Sequence, residues 1–130
     1  KEKVRPTLIE PTFVYEYPKS MFPLAKLKEK SDDTVEVFQF YAAGLELVKA
    51  FTELNDPGDQ RERLSAQESM RAKGDEEAQR MDDDYVEAME YGMPPNSGVG
   101  IGLDRLIALL TDSHSIREVI LFPLMRPKED

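Results

Sequence analysis

The chain has 130 residues, 40% of them hydrophobic and 33% charged, which bounds it to about one ordinary domain and excludes a disordered chain. Its 26 acidic residues outnumber 17 basic ones, a formal net charge of −9 that argues against gripping nucleic acid mainly by counterion release and leaves room only for a local basic strip. Cysteine is absent and His114 is the single histidine, so disulfide scaffolds, thiolate nucleophiles, cysteine or multi-histidine zinc sites and an obvious Ser-His-Asp set all drop out.

The chain opens without Met, on a charged segment that reads like a helix tail ended by Pro6, and this suggests a piece of a larger protein. No apolar core of a secretory signal lies between Lys1 and Pro6, and the longest apolar run, Val119 to Phe122, is far short of a membrane span. A reducing, cytoplasmic location is the default expectation. Thr12 to Tyr17, rich in β-branched and aromatic residues and bracketed by Pro11 and Pro18, predicts a strand. Residues 19–34 carry Pro23 and a charge run and read as a surface connection. Val35 to Ala42 predicts a second strand, with Phe38 and Phe40 on one face and Val35, Val37, Gln39 and Tyr41 on the other. Ala43-Gly44 turns the chain into a third strand, Leu45 to Leu54, making an antiparallel hairpin.

Asn55 to Asp59 is turn chemistry leading into a helix, with Asp56 as cap and Pro57 at its first position. From Pro57 to Asp84 the sequence is highly charged with a thin apolar stripe, chiefly Leu64 and Met70, and predicts a surface helix. Asp82-Asp83-Asp84 suits the positive end of another helix, which turns Tyr85, Val86 and Met89 inward and stops at Gly92 and Pro94-Pro95. An extended, glycine-punctuated stretch follows, and then an apolar helix around Leu106, Ile107, Leu109 and Leu110 that should be buried. Ser115 to Glu118 has capping-box spacing and predicts one short helical turn before the last apolar run. The fold class is α+β, an antiparallel sheet with helices on one face.

Two stretches carry chemistry. In Gly98-Val99-Gly100-Ile101-Gly102-Leu103-Asp104-Arg105 three glycines alternate with apolar residues. On a strand one face buries Val99, Ile101 and Leu103 while the other is bare backbone, open to a flat ligand. Arg105 stands at the start of the next helix, where a guanidinium can stack on a base and bind a phosphate. The spacing matches neither a dinucleotide fingerprint nor a phosphate loop, and it equally permits a tightly packed strand beside a buried helix. In the second stretch, Gly44 to Pro57, Glu46 and Glu53 interrupt apolar sequence. Burying a carboxylate is costly unless it meets a cation, a metal or hydrogen-bond donors. Strict alternation sets the two on opposite faces, so a shared site needs a bulge or bend. The simpler reading, favoured on spacing alone, is that Lys49 neutralises one of them.

Taken together, Glu46 to Pro57, Gly98 to Arg105 and Ile120 to Pro127 resemble the carboxy-terminal part of the class II lysyl-tRNA synthetases. Pro11 to Pro18, Pro23-Leu24-Ala25-Lys26 and Glu90 to Pro95 match as well, in order, so the resemblance covers nearly the whole chain. Aspartyl-type enzymes share the glycine-arginine run, whereas Phe51 to Asp56 points to the lysyl branch.

That resemblance implies one domain over residues 1–130, the carboxy-terminal part of a catalytic domain, without the anticodon-binding barrel and without motifs 1 and 2. Gly98 to Arg105 would be motif 3, binding ATP through Gly98, Gly100, Gly102 and Arg105, with Arg105 also the catalytic residue. Glu46 and position 39 would hold Mg2+, and Glu53 would accept the side-chain ammonium of substrate lysine, with position 49 also facing that substrate. The complete enzyme, expected to be a homodimer, would activate lysine with ATP and transfer it to tRNA; the fragment alone is expected to be inactive. Alternatives are a paralogue that ligates lysine to a protein and a non-catalytic synthetase-like binding module. The chain departs from the family at Gln39, where a second metal-binding glutamate is usual, and at Lys49, where an asparagine is usual. A milder departure is Phe22, where a serine commonly precedes Pro-Leu-Ala. Gln39 and Lys49 predict weaker binding of lysine and magnesium-ATP.

Overall fold

The computed structural model describes residues 3–124; Lys1, Glu2 and the Met125-Arg126-Pro127 end of the last matching block lie outside the described residues. Four strands and three helices follow in the order β1 (Thr12–Pro18), β2 (Thr34–Ala42), β3 (Leu45–Thr52), α1 (Pro57–Ala72), α2 (Asp83–Glu90), β4 (Ser97–Ile101) and α3 (Leu103–Leu110). The strands form one sheet in the order β1-β2-β3-β4. Its neighbours run antiparallel: Ala43 N–H bonds Ile9 O and Lys19 N–H bonds Asp33 O at the ends of β1 and β2, while Gly102 N–H bonds Leu47 O and Glu53 N–H bonds Asn96 O along β3 and β4. The expected α+β class holds. Among the described residues no helix is long and apolar enough to cross a membrane.

By internal contacts the chain divides into two compact units. The first comprises Lys1–Val14, Gln39–Lys49 and Gly100–Asp130. Ala43 and Gly44 both have positive φ, 50° and 72°, which is the requirement of a two-residue hairpin turn whose twist matches the strands it joins. The turn therefore fixes register, and Tyr41 comes to lie opposite Glu46. Tyr41, Ala42, Leu47 and Ala108 are buried here. α3 packs on a short 3-10 turn, Ile116–Glu118, whose N-cap Ser115 accepts the Arg117 N–H at 3.2 Å.

Two expectations fail in this unit. The α3 helix forms, yet only Ala108 is buried in it, and Leu103 and Leu110 are 64% and 76% exposed. Val99 in the second unit and Ile101 here, expected to face inward, are exposed too. The apolar pattern is real, but among the described residues no element covers that face. Leu121 and Phe122, in the last apolar run, are likewise exposed.

The second unit comprises Tyr15–Phe38 and Ala50–Val99. Its core joins Phe22, Ala25, Val35 and Val37, with Tyr17, Leu27 and Phe51 packed against them. Tyr17 and Phe22 meet edge to face with ring centroids 4.9 Å apart. The stretch read as a surface connection thus supplies two core residues. Its charge run obscured the fact that the backbone around Ala25 adds on to the sheet, through Lys26 N–H to Thr52 O and Leu54 N–H to Leu24 O. α1 begins as expected, with Pro57 first and the Asp56 carboxylate accepting the Gly58 and Asp59 N–H groups. It ends at Ala72, well before Asp84, and Gly74 (φ 105°) turns the chain away. Leu64 is buried, whereas Met70, expected in the stripe, is exposed. α2 packs on α1, is capped by Asp82 and buries Val86 and Met89.

Candidate functional site

Each unit gathers one cluster of the residues singled out from the sequence. In the first unit, period-two geometry puts Gln39 and Tyr41 on the same inward face of β2, and the hairpin register brings Glu46 across from Tyr41. The Tyr41 hydroxyl lies 3.0 Å from Gln39 Oε1 and 3.3 Å from Glu46 Oε2. One hydroxyl has one proton, so it donates to one of these oxygens at a time and holds both within reach. Gln39 is 1% exposed, and an amide tolerates such burial far better than an ionised carboxylate would. Arg105, in the first turn of α3, donates from Nη1 to the Glu46 carbonyl at 2.9 Å. The guanidinium is thereby tied to β3 by one of its five N–H donors, and the residue remains exposed. Lys49 is half-buried, and its carbonyl lies 3.8 Å from where a Cβ on Gly100 would stand.

The donor set can be tested against a divalent cation. Glu46 offers one carboxylate and Gln39 one neutral amide oxygen, and among the described residues no three acidic, histidine or cysteine side chains gather to form a metal cage. Mg2+ keeps several waters and commonly takes one or two carboxylates together with substrate phosphates. The pair fits an ion shared with a nucleotide, and does not fit one held by protein alone.

In the second unit Glu53 follows β3. Its backbone is clasped on both sides, bridging to Ala25 and donating to Asn96 O at 3.0 Å. The side chain is half-buried, and burial raises its pKa above the ordinary carboxylate value. A Cβ placed on Gly98 would come within 2.6 Å of Glu53 Oε1, so the carboxylate lies directly on the bare backbone of β4. The Tyr85 hydroxyl also has a raised pKa, from burial first, then from the negative charges of Glu53 and Asp82.

Among the described residues Glu53 takes part in no ion pair. The structure brings Gln39, Glu46 and Arg105 together, and separately Gly98 and Glu53. Sequence reasoning missed Tyr41 and Tyr85 as site neighbours. The hairpin register could have found Tyr41, because a two-residue turn at 43 and 44 sets it opposite Glu46. No sequence signal ties Tyr85 to Glu53.

Residues 2–126 match the family model described as tRNA synthetases class II (D, K and N). The chain is 57% identical to a lysine–tRNA ligase of Carboxydothermus hydrogenoformans over 99% of this chain and 26% of that protein. It is 58% identical to one of Moorella thermoacetica over 98% of this chain and 26% of that protein. A third, of Staphylococcus haemolyticus, is 55% identical over 98% of this chain and 26% of its own length. The chain thus spans about a quarter of the length of the curated relatives it matches. On a family match that covers nearly all of its residues, the chain belongs to the class II tRNA synthetases of the D, K and N group.

Proposed function

We propose that this chain is the part of a lysine–tRNA ligase that holds ATP and reads the lysine side chain. The complete protein, a cytoplasmic homodimer, would activate lysine and then charge tRNA. In the first step the lysine carboxylate attacks the α-phosphate of ATP and displaces pyrophosphate; in the second a ribose hydroxyl of tRNA attacks the activated acyl carbon and releases AMP. Neither step needs a covalent enzyme intermediate, so the protein's contribution is positioning and stabilisation of charge. Gly98 to Arg105 corresponds to motif 3. Arg105, with donors to spare beyond its bond to Glu46 O, suits a guanidinium that meets adenine and phosphate. Glu46 and the Gln39 amide oxygen would hold Mg2+, which when bound neutralises phosphate charge. The neutral Gln39 and the cationic Lys49 support weaker binding than a site with glutamate and asparagine in their places.

The observation that carries the reading is Glu53. It is a half-buried carboxylate with a raised pKa, it has no cation partner among the described residues, and it is seated on bare backbone. Such a group is stabilised by an incoming ammonium, and a substrate lacking that cation leaves it unpaired. The test is lysine-dependent pyrophosphate exchange by the complete protein. Glu53→Gln keeps size and one acceptor but removes the charge, a loss of about 1.5–3 kcal/mol, and should raise the lysine KM roughly 10- to 150-fold with the ATP KM nearly constant. Equal movement of both constants would make Glu53 structural. No exchange by the wild-type protein would favour the non-catalytic binding module.

A further inference from the structure

Of the three glycines in the run, only one is held to glycine by a functional side chain. Gly98 does not have the positive φ that would demand glycine; Gly44, Gly74 and Gly92 do. Nor does neighbouring backbone crowd it. Among the described residues, a Cβ built there meets only the Glu53 side chain, Oε1 at 2.6 Å and Cδ at 3.8 Å, and no other heavy atom within 4 Å beyond its chain neighbours. Gly100 differs, because its Cβ would rest against the Lys49 carbonyl at an ordinary 3.8 Å. At Gly102 the neighbour is the flexible Arg105 side chain, at 3.4 Å.

We propose that Gly98 is a positioning residue for substrate specificity: its missing side chain fixes where the Glu53 carboxylate stands, and so sets how well the site reads a primary ammonium at the end of an aliphatic side chain. This moves Gly98 from the nucleotide bed, where the family resemblance puts it, to the amino-acid pocket. It rests on the reading of Glu53 given above. The physical argument is one of unequal costs. A methyl group 2.6 Å from a carboxylate oxygen is not tolerated, so something shifts, and what shifts is the end of a side chain with three rotatable bonds. The fold absorbs the change cheaply because no backbone atom is in the way. The carboxylate, however, is displaced by several tenths of an ångström or swings to another rotamer, and charge-assisted hydrogen bonds lose strength steeply with misalignment.

The experiment compares Gly98→Ala, Glu53→Asp, Glu53→Gln and the double variant Gly98→Ala/Glu53→Asp in the complete protein. Lysine and ATP are titrated separately by calorimetry, and thermal unfolding is recorded alongside. Gly98→Ala should weaken lysine about tenfold or more while ATP affinity stays within about twofold and unfolding is little changed. Aspartate withdraws the carboxylate by about one C–C bond, roughly 1.5 Å, so it clears the new methyl. The double variant should then bind lysine no worse than Glu53→Asp alone, the signature of one shared contact. If Glu53→Gln loses lysine but Gly98→Ala does not, the proposal falls and the Glu53 reading stands. If Glu53→Gln leaves lysine affinity unchanged, the Glu53 reading falls first and takes the proposal with it. A Gly98→Ala protein that loses ATP as strongly as lysine returns Gly98 to the nucleotide bed. One that fails to fold, alone and with Glu53→Asp, makes the glycine structural; either result overturns the proposal.

Discussion

Arg63 offers the sharpest test of what holds the Glu53 backbone in place. Its side chain is 9% exposed and makes three hydrogen bonds: Nε to Asp59 Oδ1 at 2.8 Å, Nη2 to Asp59 Oδ2 at 2.6 Å, and Nη1 to the carbonyl of Ala25 at 2.8 Å. Ala25 is fully buried and bridges to Glu53, so the guanidinium links α1 to the stretch that clasps the acid. Arg63→Met keeps an apolar stem and removes every donor. The Ala25 carbonyl is then left buried without this partner, at about 1–3 kcal/mol. The Asp59 carboxylate, a third exposed, recovers much of its loss from water and from its place in the first turn of α1, so that share is about 1 kcal/mol. The sum is roughly 2–4 kcal/mol. Site-resolved hydrogen exchange on the complete protein reads it where it matters, at the Lys26 and Leu54 amides that bond Thr52 O and Leu24 O. Their protection should fall about thirtyfold or more. Arg63→Lys should fall between, since an ammonium lacks the planar fork that serves a carboxylate and a carbonyl together. Unchanged protection in Arg63→Met would refute the linkage.

Two further outcomes follow from the buried polar groups. Because burial raises the Glu53 pKa, its contribution to stability is fully present below the unfolded value near 4.5 and is lost as pH rises through the higher folded value. At neutral pH and without ligand, Glu53→Gln should therefore unfold at a higher denaturant concentration than wild type, with the gap closing below pH 4.5; a less stable variant at neutral pH would mean the carboxylate gains more from its surroundings than burial costs it. Tyr41→Phe strips the hydroxyl from Gln39 and Glu46 and should cost about 1–3 kcal/mol, because the Gln39 amide is almost fully buried. Adding Gln39→Leu should restore part of that in urea titrations, and identical losses in the single and double variants would show that an unpaired Gln39 amide is not the source of the cost.

Local chemistry was legible in the sequence wherever the short-range pattern and the packing agree. Alternation in β2 sets Val35, Val37, Gln39 and Tyr41 on one face, which the structure buries, and Ala43-Gly44 places the turn. The caps Asp56 and Asp82 stand where side-chain oxygens precede a helix. Legibility failed where charge and burial coexist in one short stretch. Between Lys19 and Asp33 the charges sit beside Phe22 and Ala25, and composition averages over both. It failed differently at α3, where an apolar stripe predicts burial and no described element lies over it. In the site, Glu46, Glu53 and the glycines stood out as residues that break the rules of their segments. What periodicity could not supply was the pairing of Gly98 with Glu53, since residues far apart in sequence meet only once the strand order is known.

The positions that break local rules are also those where the fold gives up stability. Glycine inside a strand loses more backbone entropy on folding than a residue with a side chain and contributes no packing, and β4 carries glycine at both 98 and 100. A carboxylate without a cation partner among the described residues, half-buried just after β3, adds a second cost. A sequence selected for stability alone would fill position 98 with a β-branched residue and pair Glu53 with a lysine or arginine; either change lies within reach of a single substitution. The first would push the Glu53 carboxylate from its place, since its Oε1 stands 2.6 Å from where the Cβ would be, so the glycine suits the acid where it stands. The acid is not explained by anything within the described chain, since no cation meets it and burial works against its charge. On the proposed reading of Glu53, the ammonium of the substrate supplies that compensation. Polar anomalies of this kind are worth following outward from the structure, because each removes one internal explanation and narrows the chemistry of the missing partner.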